Sequence, residues 1–190
     1  MIYLASNSPR RAELLGQIAV SFSPLNVSIE EKIKVGESAD NYVLRLALEK
    51  AQAGFAGSDR TRPVLGADTI VVIDSQILEK PVDQLHAKKM LQLLSGRTHQ
   101  VFTAIALVNS QSAKTQLVKT DVSFKVLSEQ EIDEYWLTGE PLDKAAGYAI
   151  QGVAGKFVTN IRGSYSAVVG LPLYETEQLI KEFKGIESVC

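Results

Sequence analysis

The run Val64-Leu65-Gly66-Ala67-Asp68-Thr69-Ile70-Val71-Val72-Ile73 decides the fold. It is apolar and β-branched almost throughout, the pattern of a strand covered on both faces, as strands of α/β sheets are. Asp68 interrupts it. A carboxylate there is costly to bury unless it is paired or holds a metal. The plain alternative is an aspartate capping a backbone turn where the strand bends, with Gly66 marking a bulge. Because Thr69 to Ile73 continue the strand, a cap in mid-strand has little to do. Asp68 is therefore read as a functional group, able to hold Mg²⁺ through oxygen or to orient a water.

Outward from this run, strands and helices alternate. Ile2–Ala5, Val101–Val108, Gln116–Val126, Tyr148–Gln151 and Phe157–Ile161 read as further strands. The short gap between Val101–Val108 and Gln116–Val126 predicts an antiparallel hairpin. Ser8-Pro9 reads as a cap and first helical residue, with Ala12, Leu15 and Ile18 on one face. Tyr42–Ala53 carries Val43, Leu46, Ala47 and Lys50 on adjacent turns and is expected to end at Gly54. Asp83 caps a helix bearing Ala87, Met90, Leu91 and Leu94, which stops before Gly96. Ser128-Glu129-Gln130-Glu131 is a capping box opening a helix with Ile132, Tyr135 and Trp136, closed by Gly139. Leu173–Phe183 forms a last helix before Gly185. The fold class is α/β, with a partly antiparallel sheet.

The chain has 190 residues, room for one domain or two small ones, and no linker divides it; a single domain over residues 1–190 is expected. Hydrophobic residues at 45% and charged residues at 22% place it among globular proteins. Twenty Lys and Arg against 22 Asp and Glu leave a net charge of −2, which argues against a coat for nucleic acid or an anionic membrane. A single cysteine, Cys190, excludes an intrachain disulfide and a cysteine zinc cluster. There is no apolar run of membrane-spanning length and no basic, apolar leader, so a soluble, intracellular protein is expected.

Chemistry could sit in several places. Ser6-Asn7-Ser8-Pro9-Arg10-Arg11 joins a strand end to a helix start, where backbone N–H groups, two hydroxyls and two arginines would suit an anion. A capped surface helix with two solvated arginines is the plain alternative. Leu78-Glu79-Lys80-Pro81 alone is an ordinary loop, and Leu94-Ser95-Gly96 an ordinary helix end. Gln151, closing a short run between glycines, can read both a donor and an acceptor on a ligand edge. His86 and His99 have no second ligand at a zinc spacing, and P-loop, Rossmann and G-x-S-x-G signatures are absent. Cations near a helix start and one strand carboxylate point to a phosphorylated small molecule handled with a divalent metal.

Ser6-x-Ser8-Pro9-Arg10-Arg11-x-x-Leu14-Leu15, Gly66-Ala67-Asp68-Thr69, Glu79-Lys80-Pro81, Leu94-Ser95-Gly96, Asp143-Lys144-Ala145, Ile150-Gln151-Gly152, Gly163-Ser164-Tyr165 and Val169-Gly170-Leu171-Pro172 stand in one order along nearly the whole chain. Together they resemble the Maf family of nucleoside triphosphate pyrophosphatases, most closely its branch acting on dTTP and UTP. The resemblance implies hydrolysis of a nucleoside triphosphate to the monophosphate and pyrophosphate, with Mg²⁺ or Mn²⁺. It further implies a house-cleaning role with an effect on cell division, and a cytoplasmic homodimer with no polymeric nucleic acid or membrane partner. The implied fold is Maf/inosine-triphosphatase-like, a long mixed sheet flanked by helices with a cleft between two lobes.

Carried over position by position, the resemblance makes Asp68 the proton acceptor and gives Arg10, Thr69 and Gln151 the choice of substrate. Ser6, Ser8, Arg11, Lys50 and Lys80 become phosphate-binding residues, and Glu31 joins Asp68 as a metal ligand. One departure stands out: Ala145-Ala146-Gly147-Tyr148 replaces the family's Ala-Gly-Ala-Tyr, which is expected to alter a local backbone angle. Two rival functions remain at this point. One is a pyrophosphatase for non-canonical purine or 7-methyl-GTP nucleotides; the other is a nucleotide-binding regulator of septum formation with little turnover.

Overall fold

The computed structural model describes residues 1–187; Cys190 lies outside them. In chain order the elements are β1 (Ile2–Ala5), α1 (Pro9–Gln17), β2 (Phe22–Leu25), α2 (Ala39–Gly57), β3 (Val64–Ile73), β4 (Gln76–Leu78), α3 (Gln84–Leu94), β5 (Thr98–Val108), β6 (Ala113–Phe124), α4 (Glu129–Leu137), β7 (Val158–Arg162), α5 (Tyr165–Val169) and α6 (Leu173–Glu187). Short 3₁₀ turns cover Glu140–Asp143, Ala145–Gly147 and Val153–Phe157. The strands form one sheet in the order β2-β1-β3-β5-β6-β7, with β4 paired to β3. Parallel pairs (β1 with β2 and β3) and antiparallel pairs (β3 with β4, β6 with β7) make it mixed. Neighbours β5 and β6 are joined by only four residues, closed by Asn109 N–H to the Ser112 carbonyl at 3.0 Å, which requires the expected hairpin.

The chain divides into two compact units. The first comprises residues 1–68, 103–118 and the chain from Gly170 onward. Its β1 pairs with β3 in unbroken register from Tyr3↔Val64 to Ala5↔Gly66, so Gly66 marks no bulge. Gly66 instead admits α2: a Cβ there would lie 2.4 Å from the Ala47 carbonyl oxygen and 2.6 Å from the Ala51 nitrogen. The same close approach explains why α2 does not stop at Gly54 but runs on to Gly57. A Cβ at Gly54 would lie 2.8 Å from Ala5 Cβ and 2.9 Å from Val64 Cγ1, so this glycine is a packing residue inside the helix. The helix also begins earlier than Tyr42, capped by Ser38 Oγ, which accepts from Asn41 N–H at 3.3 Å. At the sheet margin, β2 tolerates Pro24 as edge strands do, and that proline hides the strand from sequence reading. Leu4, Leu15, Leu46 and Leu65 are fully buried in this unit. The last helix extends through Gly185 to Glu187 rather than ending before it.

The second unit comprises residues 69–102 and 119–169. Its β3–β4 hairpin turns on Asp74 and Ser75, both left-handed (φ 50° and 64°), a two-residue turn made without glycine. The α3 cap at Asp83 and the Ser128 capping box form as expected, and Gly139 (φ 72°) closes α4. Tyr148–Gln151 is not a strand. Ala146 (φ 55°) and Gly147 (φ 67°) are both left-handed, and the chain turns again at 149–152, leaving no extended run to pair. Ala146 thus sits in a conformation where L-residues are strained. Tyr148 instead packs its ring edge-on against Phe124 and His99, in a core that also holds Tyr135 and Phe157. Among the described residues, no helix is long and apolar enough to cross a membrane.

Candidate functional site

Because side chains alternate along a strand, Gly66 and Asp68 face the same side of β3. The missing side chain at Gly66 lets α2 settle its Ala47–Ala51 turn on the strand. Lys50, on that turn, then reaches Asp68: its Nζ donates to Oδ1 at 2.6 Å. The same ammonium meets Glu31 Oε1 at 2.6 Å, so one cation bridges two carboxylates. Asp68 is buried at 6% exposure, whereas Glu31 is open to solvent. Burial pushes the Asp68 carboxyl above its usual range; Lys50 and Arg11 pull it down without cancelling that effect.

Glu31 lies in an irregular segment that α2 pins. Arg45 Nη2 donates to the Lys32 carbonyl at 2.9 Å, and Arg45 forks onto Glu37 through Nε and Nη2 at 2.6 and 2.7 Å. That hydrogen-bonded arginine holds the Glu37 carboxyl down at about 2. Sequence reading found neither residue, since an ion pair eight positions apart leaves no periodic trace.

At the start of α1, Ser8 occupies the cap position, but its side chain makes no capping bond. Ser6 Oγ serves the turn instead, accepting from Ser8 N–H at 3.2 Å and from Arg11 Nη1 at 3.3 Å. Arg11 Nε donates to the Gly170 carbonyl at 2.8 Å, fixing the guanidinium. Burial lowers the Arg11 pKa, while the Asp68 and Glu31 carboxylates raise it. Arg10 Nε is buried without a hydrogen-bond partner among the described residues. In this unit, therefore, Ser6 and Arg11 form one bonded group, and Glu31, Lys50 and Asp68 another, coupled electrostatically through Arg11.

Thr69, Lys80 and Gln151 belong to the second unit, on three separate segments. Thr69 is half-buried on β3 and Lys80 is exposed after β4. Gln151 is exposed at the corner of a four-residue turn closed by Gly152 N–H to the Ala149 carbonyl at 3.0 Å.

A family model described as Maf-like protein matches residues 1–183. The chain belongs to the Maf family. Among Maf relatives, it is 57% identical over 183 residues to the dTTP/UTP pyrophosphatase of Pseudoalteromonas atlantica, covering 95% of each chain. It is also 57% identical over 187 residues to the dTTP/UTP pyrophosphatase of Salmonella typhimurium, covering 98% of this chain and 95% of that one. Among solved structures, it is similar to a nucleoside-triphosphatase, dITP/XTP pyrophosphatase, of Mycobacterium abscessus. That match has TM-score 0.43 and 16% identity, and covers 65% of this chain and 73% of that one.

Proposed function

We propose that this Maf-family chain hydrolyses dTTP and UTP to the monophosphate and pyrophosphate. The carrying observation is Asp68: a mid-strand carboxylate, desolvated and yet ionically held by Lys50, beside the Arg11 group. The names of its 57%-identical relatives support the same substrates. Asp68 orients a water and takes its proton as the water oxygen attacks the α-phosphorus. The bond from that phosphorus to the oxygen bridging to the β-phosphate breaks, and pyrophosphate leaves. A carboxyl raised by burial is a stronger base than a solvated aspartate, which suits this task.

Arg10, Arg11, Lys50 and Lys80 neutralise the triphosphate, with Ser6 and Ser8 supplying further donors at the α1 start. Gln151, Thr69 and Arg10 select the nucleotide, Gln151 reading the pyrimidine edge, and modified pyrimidine nucleotides fall within the same reading. The residues present also fit a divalent metal. Among the described residues no group of three or more His, Cys, Asp or Glu gathers for one, but Glu31 and Asp68 share a single ammonium and offer hard oxygen donors. Glu31 and Asp68 would hold Mg²⁺ or Mn²⁺, which supplies charge stabilisation to the phosphates when bound. A cytoplasmic homodimer completes the reading, and light scattering on the purified chain tests the dimer.

The test is pyrophosphate release from dTTP, UTP, CTP, GTP, ITP and 7-methyl-GTP by the full chain and by Asp68→Asn. Release led by dTTP and UTP, reduced about 10²-fold or more in the variant, is the expected result. Turnover of UTP at the parent rate by Asp68→Asn removes the proposed base. A purine-led profile discards the pyrimidine assignment, and binding without turnover favours a regulator.

A further inference from the structure

The turn carrying Gln151 is anchored from outside itself. Tyr135 Oη, at the C-terminal end of α4, accepts from Ala149 N–H at 3.3 Å, on the near side of the turn. On the far side, Glu140 Oε2 accepts from Val153 N–H at 2.9 Å, and Oε1 accepts from Ala154 N–H at 3.3 Å. Tyr135 in turn donates its hydroxyl proton to Glu140 Oε1 at 2.7 Å, which joins the two anchors into one. Gly152 has no side chain because the carboxylate covers it: a Cβ there would lie 2.0 Å from Oε2. A half-buried carboxylate with three donors from two segments is far more than the Glu140–Asp143 turn needs to form. Its bonds converge on the backbone flanking one exposed polar side chain, Gln151.

We infer that Glu140, through Tyr135, is a positioning residue that fixes the Gln151 turn and so sets the choice among nucleobases. This rests on the base-reading role proposed for Gln151 above. A glutamine at 140 keeps the size but turns one of the two oxygens into an NH₂ donor, so one of the positions that now accept from Val153 N–H (Oε2) and from Ala154 N–H and the Tyr135 hydroxyl (Oε1) faces a donor instead.

The experiment measures kcat and KM of the full chain for UTP, dTTP, CTP and GTP in the parent, Glu140→Gln, Tyr135→Phe, Gln151→Ala and the Glu140→Gln/Gln151→Ala double variant. Hydrogen exchange of peptides covering 149–154 is followed in each. The preference for UTP over CTP and GTP is expected to fall about tenfold in Glu140→Gln, chiefly through KM for UTP. Tyr135→Phe should shift it the same way by a smaller factor. The double variant should be no less selective than Gln151→Ala alone, since both changes remove one function. Exchange over 149–154 should rise in Glu140→Gln and Tyr135→Phe. A merely structural loss would lower the amount of active enzyme for all substrates alike and leave the ratio unchanged. An unchanged ratio in both Glu140→Gln and Tyr135→Phe, with Gln151→Ala flattened, overturns the positioning role and leaves the proposed function standing. An unchanged ratio in Gln151→Ala removes the base-reading role itself, and the positioning role with it. Should Glu140→Gln fail to fold, the outcome for Tyr135→Phe decides.

Discussion

Replacing Gly66 with alanine tests whether packing and chemistry share one constraint. The new Cβ would stand 2.4 Å from the Ala47 carbonyl oxygen and 2.6 Å from the Ala51 nitrogen, where ordinary contact begins at 3.4 Å. Both obstacles are backbone of α2, so no side-chain rotation relieves them, and the helix must back away by about 1 Å. Overpacking of this kind costs about 1–3 kcal/mol of stability. The same retreat stretches the Lys50–Asp68 bond from 2.6 Å to beyond hydrogen-bonding reach. A displacement of about 1 Å in a catalytic group can cost on the order of 10²-fold in rate. Gly54→Ala is the control. It too crowds α2, but against the side chains of Ala5 and Val64 and a full turn beyond Lys50, so stability should fall while rate is largely kept. Urea denaturation and pyrophosphate release from UTP, measured on both variants, give the comparison. A Gly66→Ala protein with parent stability and parent kcat would refute the reasoning.

Two further outcomes follow from the same structure. Burial lowers the His99 pKa from its usual 6.5 to about 4, so below 6.5 the unfolded chain takes up a proton that the fold refuses. Stability is then complete above that pH and lost on acidification; His99 alone should remove about 2 kcal/mol between pH 7 and about pH 5. His99→Leu should flatten this slope in urea melts, and a slope unchanged by the substitution contradicts the assignment. Arg45→Ala should loosen the segment bearing Glu31 and raise the Mg²⁺ concentration for half-maximal rate by about 10-fold, the lower range for groups that orient metal ligands. A metal titration matching the parent's would show that Arg45 does not serve Glu31.

Strong local signals carried most of the fold. The apolar run of β3, the Asp83 cap and the Ser128 capping box each depend on residues adjacent in sequence, and each forms as read. Elements were missed where tertiary context supplies what sequence lacks. Pro24 disguises an edge strand, Asp74-Ser75 turns a hairpin without glycine, and Gly54 is excused from ending a helix by the residues it packs against. Within the site, Asp68 stood out because a charge in an apolar strand is costly, and Lys50 lies on the helical face turned to it. Glu31 was legible only through family resemblance, since its segment has no periodicity. Glu140 and Tyr135 were invisible as partners, because hydrogen bonds to backbone N–H groups leave no requirement on the residues that donate them.

Charge in the first unit also bears on the proposed metal. Arg10, Arg11 and Lys50 oppose Glu31 and Asp68, three cations to two carboxylates, in a chain whose net charge is −2. Lys50 is already engaged by both carboxylates, so little of its charge is free to meet a triphosphate. A divalent cation on Glu31 and Asp68 would neutralise those carboxylates and leave the ammonium's charge for the substrate. Metal removal is therefore expected to weaken nucleotide binding as well as turnover. With chelator present, calorimetric titration of UTP into the parent should show affinity reduced about 10-fold or more. In Glu31→Gln, which removes one of the two carboxylates, the loss on chelation should be smaller. Equal affinity with and without metal would mean that the arginines alone bind the triphosphate, leaving the cation a part only in the bond-breaking step.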